Sequence, residues 1–103
     1  MILKIAKSGG PWGCQRSAVV ADANGLGLLG SGLTEGGIGL AASIHLYSTL
    51  SLLLPPELNG PKFLADLFVE GLRVEGNKVT VPDAPGLGIR VKEDTVRAHS
   101  FRI

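Results

Sequence analysis

Two charged side chains stand at or near the limits of short apolar strands. Lys4 lies inside the run Ile2-Leu3-Lys4-Ile5-Ala6, and Glu57 follows Pro55-Pro56 at the head of Glu57-Leu58-Asn59. In an extended strand Lys4 points to one face and its two neighbours to the other. If that strand belongs to a closed barrel, alternate residues point inward, and a lysine near the carboxyl end reaches the mouth where barrel chemistry takes place. Few waters there would disfavour a fixed ammonium charge and suit a lysine that moves protons. By the same logic Glu57 would face the mouth opposite Lys4. A cation and a carboxylate converging on one pocket suit proton transfer next to a carboxylate substrate. Composition alone favours the plainer reading, a surface lysine at a strand end.

Other groups carry less. Gly25-Leu26-Gly27-Leu28-Leu29-Gly30 spells the dinucleotide pattern GxGxxG. That pattern works only when a strand precedes it and a helix follows, so that helix N–H groups meet the pyrophosphate. Here a helix precedes and the pattern itself reads as a strand; His45 and Tyr47 occupy the region where an acidic ribose partner is expected. His45 lies on an apolar helix with no metal partner nearby and reads as a packing or hydrogen-bonded residue, and His99 has no constellation either. The single cysteine, Cys14, cannot form an internal disulfide and reads as a small apolar helix residue, consistent with a reducing cytoplasm.

The elements that must position Lys4 and Glu57 follow from the punctuation. Residues 2–6 read as a short buried strand broken by Ser8-Gly9-Gly10, and Pro11 suits the first turn of a helix over residues 12–24. Asn24-Gly25 tolerates the left-handed backbone that stops it. Residues 26–29 read as a second buried strand, and Gly30 to Glu35 as a loop. A helix rich in small residues follows over about residues 36–50, with Pro55-Pro56 as its limit. Residues 57–59 give a third short strand ended by Gly60-Pro61. The order β-α-β-α-β favours a parallel sheet with right-handed crossovers. Beyond it, residues 72–75 and 78–81 alternate around Gly76-Asn77, which marks a β-hairpin. Residues 86–91 give another extended piece, and residues 93–100 a last short helix.

The whole chain has 103 residues, enough for one modest domain. Its formal net charge of +1, with no basic cluster, argues against a nucleic-acid partner. No secretory signal opens it: the first apolar residues run straight into Lys4 and Lys7. Residues 36–54 carry no titratable group near neutrality except His45 and approach bilayer-spanning length, yet a buried barrel helix between loops accounts for them and no membrane partner is expected. The 15 glycines, many of them at the ends of apolar runs, suggest tight loops between short buried elements of an α/β protein.

Several of these segments resemble a known family. Leu3-Lys4-Ile5-Ala6-Lys7-Ser8-Gly9-Gly10-Pro11 is similar to the sixth barrel strand and following loop of muconate and chloromuconate cycloisomerases, in the enolase superfamily. Residues 30–39 resemble the seventh-strand loop, Glu57-Leu58-Asn59-Gly60-Pro61 the end of the eighth strand, and Pro85-Gly86-Leu87-Gly88 the closing segment that packs back on a capping domain. The resemblance covers nearly the whole chain in matching order. It implies about strands 6–8 of a TIM-like (β/α) barrel over residues 1–61. It also implies a C-terminal extension over residues 62–103, whose hairpin would pack on the capping domain. The implied reaction interconverts a cis,cis-muconate and a muconolactone through an enolate stabilised by a divalent metal, Mg or Mn. The resemblance makes Lys4 a lysine flanking the substrate and Glu57 the eighth-strand acid. Thr34 and Glu35 become substrate contacts, Glu35 with a loop-building role first.

The departures matter as much. The family's second lysine, in a Lys-x-Lys strand, and its three metal-binding carboxylates have no counterpart: Asp22 lies on the first helix, and Asp66 and Asp83 come after the last barrel strand. The expectation is therefore an inactive isolated chain that binds no metal alone. Three strands of an eight-stranded barrel leave two unpaired edges, so a chain that is 45% hydrophobic should form a homo-oligomer or associate with the missing barrel portion. The resemblance leaves other readings open: a dipeptide epimerase, an acylamino-acid racemase, a succinylbenzoate synthase, or a non-catalytic assembly remnant. Epimerases typically carry paired aspartates at the eighth strand, so Glu57-Leu58-Asn59 favours the cycloisomerase.

Overall fold

A computed structural model describes residues 1–101. Strand β1 (Ile2–Leu3) leads through a tight loop into α1 (Gly10–Ala23), β2 (Leu29–Gly30) and α2 (Gly37–Tyr47). β1 and β2 pair in parallel, Ile2 with Leu29 and Leu3 with Gly30. Leu52 and Glu57 continue the sheet as single parallel bridges to Leu28 and Ser31. The β-α-β-α-β order is thus present with parallel pairing throughout.

Local chemistry sets these boundaries. β1 stops because the Lys4 carbonyl accepts the amides of Lys7 and Ser8, a turn that takes the chain out of the sheet. Gly9 and Gly10 both have positive φ, and Pro11 occupies the first turn of α1. A side chain at Gly13 would overlap the Ser8 carbonyl, so only glycine lets the helix pass so close under that turn. α1 ends where Asn24 and Leu26 both donate backbone N–H groups to Ala21 and Gly25 takes a φ of 66°.

Three sequence expectations shift. The sequence predicts a second strand at residues 26–29; the ladder lies at Leu29–Gly30, because the Leu26 amide is spent on closing α1. The sequence predicts a third strand at residues 57–59, but of these only Glu57 bridges. Pro55 and Pro56, just ahead of it, have no N–H to give a continuous ladder. Gly60-Pro61, read as a terminator, instead opens a one-turn helix, α3 (Gly60–Phe63), with Pro61 in its first turn. α2 covers 11 residues, and no helix among the described residues is long and apolar enough to cross a membrane.

The core lies between β1, β2 and the inner faces of α1 and α2. Leu3, Ile5, Cys14, Ala18, Ala21, Leu28, Leu46 and Tyr47 form one buried cluster. Cys14 is fully buried in it, as a packing residue. The second half is built differently. β3 (Val69–Glu70) pairs antiparallel with β6 (Arg90–Val91), and between them β4 (Arg73–Glu75) and β5 (Lys78–Thr80) form the expected hairpin about Gly76-Asn77. Residues 86–91 are strand only at Arg90–Val91, because Gly86 and Gly88 both take left-handed φ values. α4 (Glu93–Ala98) closes the described chain. The β3–β6 pairing had no sequence signal: two-residue strands are too short to show a period.

Candidate functional site

The carboxyl ends of β1, β2 and the Glu57 bridge lie side by side, knitted by their backbones. Ser31 N–H donates to the Leu3 carbonyl at 2.9 Å, Glu57 N–H to Gly30 at 3.0 Å, and Gly32 N–H to Glu57 at 2.8 Å. Each bond fixes the position of one side chain relative to the next. Lys4, half-buried, leaves the end of β1 and donates from Nζ to the Gly32 carbonyl at 3.3 Å. The Ser31 hydroxyl lies 3.3 Å from Glu57 Oε2 and 3.4 Å from the Gly32 carbonyl. It has one hydrogen, and the charged carboxylate is the stronger acceptor. Asn59 Nδ2 donates to the other oxygen, Glu57 Oε1, at 3.3 Å.

Lys4 and Glu57 therefore come to the same strand-end site without forming a direct ion pair, linked through Gly32 and Ser31. An ammonium can attract an anionic group there, and a carboxylate held by its own hydrogen bonds can accept a proton or a hydrogen bond. Glu35 and Thr34 sit on the adjoining loop. Glu35 Oε1 accepts the Leu33 amide at 2.7 Å, and its carboxylate covers Gly32 so closely that a Cβ there would stand 2.5 Å from Oε2. Thr34 is exposed, its hydroxyl without a hydrogen-bond partner among the described residues.

Sequence reasoning passed over Tyr47. Its phenol is buried at the carboxyl end of α2, with the hydroxyl 2.8 Å from the Leu3 carbonyl and 2.7 Å from the Ser31 carbonyl. It bolts β1 to β2 one residue before Lys4 and one before Gly32. Burial, with the Cys14 thiol adding to it, pushes the phenol up to about 12. The available signal was a lone tyrosine in an apolar run, which needs a partner for its hydroxyl when buried.

The remaining candidates have structural work. His45 Nε2 donates to the Leu87 carbonyl at 3.1 Å and so ties α2 to the 85–88 turn. His99 Nδ1 meets the Thr95 carbonyl at 2.8 Å, and its ring lies edge-on to Phe68. The GxGxxG letters fall on the α1–β2 turn and on β2 itself, with no helix opening at their end. Among the described residues no three His, Cys, Asp or Glu side chains gather closely enough to hold a metal ion. The described residues therefore do not fit a divalent cation.

Parallel strands joined by helices, with Lys4 and Glu57 at their carboxyl ends, define the closing portion of a (β/α) barrel. Comparison with known proteins gives that class a family. The family model described as "Enolase C-terminal domain-like" matches residues 1–95, and the chain belongs to that family. It is 41% identical over 102 residues to muconate cycloisomerase 1 of Pseudomonas putida, covering 97% of this chain and 27% of that protein. The crystal structure of a muconate lactonizing enzyme from Klebsiella pneumoniae superposes with a TM-score of 0.91 at 40% identity, over 98% of this chain and 29% of that one. A substrate-liganded L-Ala-D/L-Glu epimerase from Bacillus subtilis superposes less well, with a TM-score of 0.77 at 25% identity over 85% of this chain and 25% of that one. The chain corresponds to the C-terminal barrel part of the lactonizing enzymes and spans about a quarter of the length of the relatives it matches.

Proposed function

We propose that this chain is the closing portion of a cycloisomerase that interconverts cis,cis-muconate, or a substituted muconate, and a muconolactone. The convergence of Lys4 and Glu57 on the strand-end site beside Gly32 carries this reading. In it, residues 1–61 supply the barrel end and residues 62–103 the extension that reaches a capping domain. Lys4 flanks the substrate and moves or stabilises the proton next to a substrate carboxylate. Its positive charge offsets the negative charge that grows as that proton leaves and an enolate forms. Glu57, with one oxygen each on Ser31 and Asn59, lines the far side, and Thr34 and Glu35 close the loop above. The Mg or Mn that the family resemblance implies would rest on carboxylates that this chain does not contribute. The isolated chain accordingly turns over no cis,cis-muconate, with or without added metal.

A hybrid tests the reading. In it, this chain replaces the corresponding quarter of the Pseudomonas putida muconate cycloisomerase. The hybrid is expected to convert cis,cis-muconate, and Glu57→Gln in it to lower kcat/KM by about tenfold or more, a typical cost for a charged group at a reacting centre. A folded, active hybrid indifferent to Glu57→Gln would remove Glu57 from the site. Muconate turnover by the purified 103-residue chain itself would show that the site is complete without a complement.

A further inference from the structure

A cavity of about 820 Å³ opens between α2, the segment that follows it and the β4–β5 hairpin. That size falls within the range of small-molecule pockets, roughly 300 to 1,000 Å³. Its floor is the buried face of α2, formed by Leu40, Ile44 and the Tyr47 ring. One wall is the segment after α2, where Pro56 and Leu58 line the cavity while Glu57 between them turns to Ser31. The opposite wall is the β4–β5 hairpin, which contributes Val74 and Val79. Lys4, Thr34, Glu35 and Glu57 take no part, so this is a separate place on the molecule.

Its charge is one-sided. Lys62 stands on the first wall and Lys78 on the second, and among the described residues no Asp or Glu lines the cavity. From Gly60 to Phe101 the chain has six cations: Lys62, Arg73, Lys78, Arg90, Lys92 and Arg97. Four of them are in ion pairs, Arg73 with Glu75, Arg90 with Glu70, Lys92 with Asp66, and Arg97 with Glu93 and Asp94. The two without a carboxylate partner are the two that line the cavity. An apolar hollow with one uncompensated cation on each wall matches a ligand with an apolar body and one negative end.

We propose that this cavity binds an amphipathic organic monoanion, an aliphatic or arylalkyl carboxylate. The tail lies on Pro56, Leu58 and the hairpin valines, and the carboxylate bridges Lys62 and Lys78. Calorimetric titration of the full chain with sodium octanoate tests it, with octylamine and octanol as probes of the same length and different charge. Saturable binding of octanoate is expected, at least about tenfold tighter than either control, the size of one charge-assisted contact. The Lys62→Gln/Lys78→Gln pair, at exposed positions that leave the core untouched, is expected to remove that advantage. Val79→Trp, which fills the hollow from the hairpin side, is expected to abolish binding, with the circular dichroism spectrum confirming the fold. Equal affinity for all three probes, octanoate binding unchanged by the double substitution, or no saturable binding would each overturn the proposal.

Discussion

The side chain that does most to fix the candidate site is one that would never touch a substrate. The Tyr47 hydroxyl is buried and reaches two backbone carbonyls, those of Leu3 and Ser31. Tyr47→Phe keeps the ring and leaves those carbonyls one partner short, so it should cost about 1 to 3 kcal/mol of stability, read as a lower denaturant midpoint. The phenol also gives stability a pH dependence. It ionises near 10.0 in the unfolded chain and near 12 in the folded one. Its contribution is complete below pH 10 and is lost as the pH rises toward 12, because ionisation then favours the unfolded chain. Tyr47→Phe should flatten that part of the profile; an unchanged alkaline decline would assign it to other groups. Lys4 stood out in the sequence as a charge within a short apolar strand, and Glu57 as an acid straight after two prolines; their meeting at one strand-end site was an inference from barrel geometry and family resemblance. Ser31, Asn59 and Tyr47 did not stand out, because nothing in their spacing tells that three separate strand ends bring them together.

At the scale of elements, the parallel half of the fold could be read from its glycines and prolines, and the antiparallel half only in part. The hairpin about Gly76-Asn77 announces itself by alternation, whereas β3 and β6 are two residues each and are joined by what surrounds them. Asp66 is central there. Its Oδ1 accepts the Phe68 amide at 2.7 Å and holds Phe68 at a φ of 62°, a left-handed conformation that a phenylalanine does not take unaided. Lys92, at the start of α4, donates to both Asp66 oxygens and gives its own amide to the Phe68 carbonyl. The Phe68 N–H, and then the Lys92 ammonium, hold the Asp66 carboxyl below the ordinary carboxylate range. This contribution is present above that range and fades as the pH falls through it. Asp66→Asn should therefore loosen the β3–β6 end, seen as faster amide exchange at Glu70 and Lys92, with little change at Leu3 or Leu29. Uniform loss of protection across both halves would mean that Asp66 acts on the fold as a whole.

For the molecule as a whole, the parallel sheet is what invites company. In the β1–β2 register Leu3 N–H and the Met1 and Leu3 carbonyls face β2, so the N–H and C=O of Ile2 point to the other edge. Ile2 is exposed there, and Trp12, Val19 and Val20 lie exposed on α1. An open edge beside apolar side chains is a surface that seeks pairing. The chain is expected to sediment as an oligomer or to bind the remaining portion of a cycloisomerase barrel, and Ile2→Lys should weaken either association. Sedimentation as a stable monomer, unaffected by Ile2→Lys, would contradict this. The proposed chemistry turns on Lys4 at the end of β1. Its most direct test is Lys4→Met in the hybrid with the Pseudomonas putida enzyme, assayed for kcat with cis,cis-muconate. A fall of about a hundredfold or more, with the melting temperature held, is the predicted result for a group that moves the proton. A hybrid that keeps its full kcat without the Lys4 amine would contradict the assignment of this strand-end site.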